Sequence, residues 1–215
     1  MHNPAHRLFP ILLASLAVCA SAAPVLEPLD VSAERGPNLV KNEGFEEVQD
    51  GKPTDWTNQN DADWVLDDQV AHSGQRSIRF EKPTADRLYW VCQNVTLNQD
   101  RPRPLVVSAW SKAENAEGQR GPEYSVWVDL AYADGTSLWG QRATFEMGTH
   151  DWRHGEHSFV VTKPVRNATV HLLFRRGVSG KVWFDDVAFQ ELQLGEGLVF
   201  DQTSATTAEA GPRGD

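Results

Sequence analysis

Apolar residues recur at every second position along most of this chain and hardly anywhere at every third or fourth. Tyr124-Ser125-Val126-Trp127-Val128-Asp129-Leu130-Ala131-Tyr132 alternates throughout, and Ala168 to Arg175 does the same. Leu105 to Trp110 is dense in β-forming residues, and Ser77-Ile78-Arg79-Phe80, Ser158 to Val161 and Val182-Trp183-Phe184 are shorter runs of the same kind. A period of two sends successive side chains to opposite faces of an extended strand. Turn-forming clusters separate the runs at Gln49-Asp50-Gly51, Ser73-Gly74, Ala133-Asp134-Gly135 and Arg176 to Gly180. No segment sustains a helical period. Many short strands with regular turns predict an all-β fold, a jelly-roll β-sandwich. Glu114 to Glu123 is polar and glycine-bearing and reads as a long loop. Trp152 to Phe159 reads as a loop entering a strand.

The two ends break the pattern. Leu8 to Ala20 is apolar, follows His6 and Arg7, and leads into the small-residue triplet Ala20-Ser21-Ala22. A run of about a dozen apolar residues is too short to span a bilayer and reads as a secretory signal. Residues 1–22 are therefore expected to be a signal peptide, 23–36 a linker, 37–193 the sandwich and 194–215 a disordered tail. Leu16-Ala17-Val18-Cys19 approaches a bacterial lipoprotein signal, but Val18 stands where such signals carry a small residue. Secretion is thus favoured over lipidation or retention in the periplasm. No other segment is apolar enough to span a membrane.

Composition narrows the function. Without the signal, Cys92 is the one cysteine, so no internal disulfide can form. Stability must come from packing or from a bound metal, and Cys92 reads as a small buried hydrophobe. A formal charge of -10 argues against nucleic acid as a partner.

The alternation also sorts candidate site residues. If Val126, Val128 and Leu130 face the core, Trp127 and Asp129 face away from it. If Val170, Leu172 and Phe174 face the core, His171 and Arg175 are sent outward. An aromatic, a carboxylate, an imidazole and a guanidinium suit a saccharide, whose C–H faces stack on rings while its hydroxyls seek polar partners. Such a cleft requires the two strands to share a sheet. The chain holds eight tryptophans, and Trp139, just past the Asp134-Gly135 turn, would flank a cleft there.

Asn38 to Glu46, His72-Ser73-Gly74-Gln75-Arg76-Ser77 and Lys181 to Phe189, with the tryptophans between them, resemble the carbohydrate-binding modules of the family 4, 9 and 22 group. These accompany bacterial xylanases and cellulases. The resemblance runs from Pro37 to Leu192 and implies a galactose-binding-like jelly roll with a non-catalytic role. It implies a structural calcium held by an acid from each terminal motif, Glu46 and Asp186, with a backbone oxygen of His72 as a third ligand. Calcium suits such a set of oxygens. It implies a sugar-stacking aromatic in Arg87-Leu88-Tyr89-Trp90, which is Trp90, or Tyr89 if the register differs. The glycine usual after that tryptophan is replaced by Val91-Cys92-Gln93. Hydroxyls would then be held by Asp129, His171, Arg87 and Arg175, with Trp90 and Trp127 stacking. Trp56, Trp110 and Trp152 resemble framework tryptophans. The expected ligand is a polysaccharide or oligosaccharide, by analogy a plant β-glycan, and the expected partner a glycoside hydrolase. Asp185 and Asp186 are adjacent, so within a regular strand they face opposite ways and form no catalytic pair. Two alternatives stay open: a structural or adhesion sandwich without sugar binding, and the truncated accessory part of a glycoside hydrolase.

Overall fold

The structure is a computed structural model that describes residues 34–57, 64–193, 198–200 and 205–207. The expected signal peptide and most of the expected linker lie outside the described residues. Among the described residues, thirteen strands follow one another. They are β1 (Val48–Gln49), β2 (Lys52–Pro53), β3 (Val65–Asp67), β4 (Ser77–Lys82), β5 (Tyr89–Thr96), β6 (Leu105–Gly118) and β7 (Tyr124–Tyr132). Then come β8 (Ser137–Thr144), β9 (Gly148–Phe159), β10 (Val165–Phe174), β11 (Val178–Glu191), β12 (Leu198–Phe200) and β13 (Ala205–Thr207). Two antiparallel sheets make the sandwich: β5-β10-β7-β8, and β3-β4-β11-β6-β9. No described helix is long and apolar enough to cross a membrane.

The core lies where the inward halves of the alternating strands meet. Val126, Val128 and Leu130 from β7 and Val170, Leu172 and Phe174 from β10 are buried there, as the alternation requires. They face Phe80, Phe184 and Phe189 from the other sheet, and each such side chain contributes about 1.5–3 kcal/mol by leaving water. Tyr124 sits at the centre, its ring 5.2–5.7 Å from those of Phe145, Phe174 and Phe184. Its hydroxyl meets Ser111 Oγ at 2.6 Å, which satisfies the one polar group that the ring brings inside. Burial drives its ionisation far above the ordinary phenol range, so it stays neutral.

Lys82 crosses between the layers from the end of β4. It is only 1% exposed, and its ammonium donates to the carbonyls of Arg87 at 2.6 Å, Arg175 at 2.5 Å and Phe174 at 3.4 Å. Three acceptors make its burial tolerable.

Four expectations change. β6 extends through Gly118, because Glu114, Glu117 and Gly118 pair with the start of β11, so the loop read at Glu114 to Glu123 is half strand. The His150 to Phe159 stretch is all strand, since β6 supplies it with a partner along most of its length. Residues 34–36 of the expected linker pair with 191–193: Gly36 donates to the Glu191 carbonyl, Gln193 to that of Glu34, and Arg35 bridges Leu192. Within 194–215, β12 and β13 pair with each other, and the rest of that stretch lies outside the described residues.

Candidate functional site

The register of the four-stranded sheet builds the site. Cys92 on β5, His171 on β10, Trp127 on β7 and Arg142 on β8 stand opposite one another in a row across all four strands. Two pairs away on one side, Trp90 stands opposite Leu173, which stands opposite Ser125. On the other, Asn94 stands opposite Thr169, which stands opposite Asp129. Outward residues of a sheet line one face at alternate positions, so the separate motifs become one surface. The condition on the two strands is met, because β7 and β10 are immediate neighbours.

The contacts are continuous. Trp127 Nε1 donates to Asp129 Oδ1 at 2.6 Å, and the Gly140 amide donates to the same oxygen at 3.0 Å. Asp129 Oδ2 lies 3.5 Å from His171 Nε2, and the His171 ring lies 6.1 Å from that of Trp90. Burial alone would push the Asp129 carboxyl up. Its bonds to His171, the Gly140 amide and Trp127 outweigh that and hold it below the usual carboxylate range. The guanidiniums of Arg142 on β8 and of Arg175, just past the end of β10, lie 5.3 and 5.1 Å from the Trp127 ring centre. That is cation–π distance.

Gly140 makes the arrangement fit. It has φ +82° in a bulge of β8, and a Cβ there would come within 3.1 Å of the Trp127 ring. A left-handed conformation with a ring packed on it leaves room for glycine alone. Arg142 and Gly140 escaped the sequence reading because the bulge shifts the β7–β8 register. Trp139, just before the bulge, is 67% exposed.

Of the other expected ligand residues, Tyr89 turns the opposite way from Trp90. It is buried with its ring 6.3 Å from that of Phe80, as alternation demands of the residue beside an outward Trp90. Arg87 is exposed in the β4–β5 turn, 5.5 Å from the Tyr89 ring.

The acidic residues gather at a second place. Residues 36–43 run along β11: Leu39 donates to the Phe189 carbonyl, Val187 to that of Glu43, and the Asn38 side chain bonds both Val187 and Phe189. This brings Glu46 and Asp186 to one loop, residues 72–76. Glu46 Oε1 accepts from the Gln75 and Arg76 amides at 2.6 and 2.9 Å. Asp186 accepts from Ser73 Oγ at 2.7 Å and meets His72 Nδ1 at 2.5 Å. A side chain at Gly74 would collide with the Glu46 carboxylate.

Asp185 joins them, contrary to the rule of opposite faces. β11 is irregular between Asp185 and Ala188, and Asp186 takes φ 45°, so alternation lapses there. Asp185 Oδ2 accepts the His72 and Ser73 amides at 2.7 and 3.2 Å. Oδ1 of Asp185 and Oδ1 of Asp186 lie 3.7 and 3.6 Å from where a Cβ on Gly44 would stand. Burial pushes the Asp185 carboxyl up to about 6, the two amides pull it back, and nearby Asp186 adds to the rise. His72 thus meets Asp185 through its backbone amide and Asp186 through its ring. Among the described residues, no three His, Cys, Asp or Glu side chains form a group that could hold a metal ion.

The remaining tryptophans divide, with Trp64 partly buried against the core. Trp56 is buried against Phe45, and Trp183 is buried with its Nε1 on Asp67 Oδ2 at 2.9 Å. Trp110 and Trp152 are half-buried and flank the 72–76 loop. His72 stacks on Trp110 at 3.9 Å and meets Trp152 edge-on at 5.5 Å, and His154 lies 5.3 Å from Trp110.

No protein-family model matches the chain. It is 28% identical over 174 residues to the tRNA nuclease WapA of Bacillus subtilis strain 168, which covers 79% of this chain and 7% of that protein. It is 33% identical over 105 residues to the tRNA3(Ser)-specific nuclease WapA of Bacillus spizizenii, 47% of this chain and 4% of that protein. The chain thus spans less than a tenth of the curated relatives it matches. Among solved structures, the CBM22-1 xylan-binding domain of Paenibacillus barcinonensis Xyn10C matches with a TM-score of 0.51 at 12% identity, over 76% of this chain and 99% of that domain. The CBM22-1-CBM22-2 tandem domain of the same protein matches at 0.50 and 12%, over 76% of this chain and 47% of that one. The fold is therefore the β-sandwich of these carbohydrate-binding modules.

Proposed function

We propose that this chain is a secreted, non-catalytic module that binds a polysaccharide or oligosaccharide on the outer face of its four-stranded sheet. The observation that carries this reading is the single surface made by Trp90, His171, Asp129 and Trp127 with Arg175 and Arg142. Trp90 supplies the stacking ring. Asp129 and His171 meet hydroxyls, and Trp127 acts through the guanidiniums that it holds. The fold shared with a xylan-binding domain makes a plant β-glycan the first ligand to try and a glycoside hydrolase a natural partner. Calorimetric titration with xylan, mixed-linkage β-glucan and galactomannan tests it. One polymer is expected to bind, and Trp90→Ala to weaken that binding about tenfold or more. No heat with any glycan from folded protein overturns the reading.

Calcium belongs to the same proposal. Glu46 and Asp186 both reach the 72–76 loop with Asp185 beside them; these side chains alone form no complete metal group, and backbone carbonyls would have to complete the oxygen set that calcium takes. Bound there, the ion would pin the first and last segments of the sandwich together. Calcium added to chelator-treated protein is then expected to raise the melting temperature by about 5 °C at about a hundredfold excess over its dissociation constant, and Asp186→Asn to abolish the rise. An unchanged midpoint would mean that His72, Ser73 and the loop amides already satisfy these acids.

The match to 7% of a nuclease favours a second reading, a structural module of a longer protein. The glycan titration separates the two.

A further inference from the structure

We infer that the sheet-face site takes an acidic glycan, with a saccharide carboxylate bound between Arg142 and Arg175. This rests on the sugar-binding reading and specifies its ligand. The chain as a whole is acidic, with 30 Asp and Glu against 20 Lys and Arg. The site nevertheless brings two guanidiniums to one indole. Arg142 is exposed, and its hydrogen bond goes to the Gly140 carbonyl at 2.8 Å. Among the described residues, it is the partner of no ion pair. Arg175 has a loose one, Glu123 at 3.8 Å. The neighbouring carboxylate, Asp129, is engaged by Trp127, Gly140 and His171 and offers the arginines little.

A ring that holds two guanidiniums in place lowers the entropy lost when they close on a ligand. Their forked donors match a carboxylate in two parallel bonds, a stronger and more selective contact than a neutral hydroxyl makes. Charge density then chooses among anions. A nucleic-acid duplex carries one charge per about 1.7 Å, and a surface with net charge of -10 repels it over most of its length. Uronic acids space their carboxylates a sugar ring apart. At physiological salt, charges beyond about 8 Å are screened, so the local arginines decide the outcome.

The test titrates the full chain with galacturonate, glucuronate and mannuronate trisaccharides, each as free acid and as methyl ester. Xylotriose and a short single-stranded RNA are run beside them. At least one free acid is expected to bind about tenfold more tightly than its own ester, with Arg142→Gln reducing that ratio to about twofold and Arg142→Lys leaving it between. Near-ultraviolet circular dichroism checks that each variant is folded. Equal affinity for acid and ester overturns the inference and leaves sugar binding standing. So does binding of xylotriose alone. RNA bound more tightly than any saccharide overturns it in favour of a nucleic-acid partner. If no saccharide binds, including the neutral polymers above, both readings fall.

Discussion

The two outer faces of the sandwich each carry half-buried indoles beside histidines, yet they use them differently. On the five-stranded sheet, His72 stacks on Trp110 at 3.9 Å and leans on Trp152, so protein rings cover the indole and tie it to the acidic loop. On the four-stranded sheet, Trp127 is flanked by guanidiniums, which keep donors to spare, and Trp90 meets His171 only at 6.1 Å. An aromatic covered by another ring is a joint, whereas one covered by a hydrogen-bonding cation stays available to a ligand.

Substitutions can break this contrast. Trp110→Ala should cost about 2–3 kcal/mol, below the range for a fully buried tryptophan, and leave glycan affinity unchanged. Denaturant unfolding and the same titrations read both halves. If it abolished binding instead, the face assignment would be reversed. Gly140→Ala is expected to cost about 1–2 kcal/mol for its left-handed backbone and, by displacing the Trp127 ring, to weaken binding as well. An intact affinity would show that the ring position does not matter.

Acid sharpens the comparison with a smaller effect. The native Asp129 carboxyl titrates below its unfolded value of about 3.9. The stabilisation this gives is therefore complete above that value and lost as pH falls through the native one. Asp129→Asn should lower the melting temperature at pH 7, where this stabilisation is complete, and flatten its fall below about pH 4, so that the two curves converge in acid. A parallel pair of curves would assign the acid sensitivity elsewhere. Asp67 is held low in the same sense, because bonds from Trp183, Gln69 and Arg79 together outweigh its burial.

The faces of β7 and β10 were legible because a buried aliphatic at every second position forces its neighbours outward, and both strands obey that rule. It placed Trp127, Asp129 and His171 correctly without any knowledge of partners. The row that joins them was hidden. It depends on pairing β5 with β10, which stand some eighty residues apart, and on the bulge that brings Arg142 opposite Trp127. The rule failed where the backbone leaves the regular pleat. Asp185 and Asp186 look like a pair facing opposite ways until a left-handed residue turns the strand. Glu114 to Gly118 looked like a loop because the small Ala116 is its one apolar side chain and turns inward, and only the partner strand makes it extended. Terminal neighbours were implied by the resemblance of both end motifs to the module family, and Asn38 and Val187 do meet.

The antiparallel seam of residues 34–36 with 191–193 has a mechanical consequence. The polypeptide enters and leaves the sandwich side by side, at the end of β11. A longer chain can therefore carry this unit as a side-loop, with its flanking segments kept together. Tension on both flanks would load the seam one hydrogen bond after another, like a zipper, rather than all at once. The seam would open first, while the four-stranded sheet is among the last parts to feel the pull.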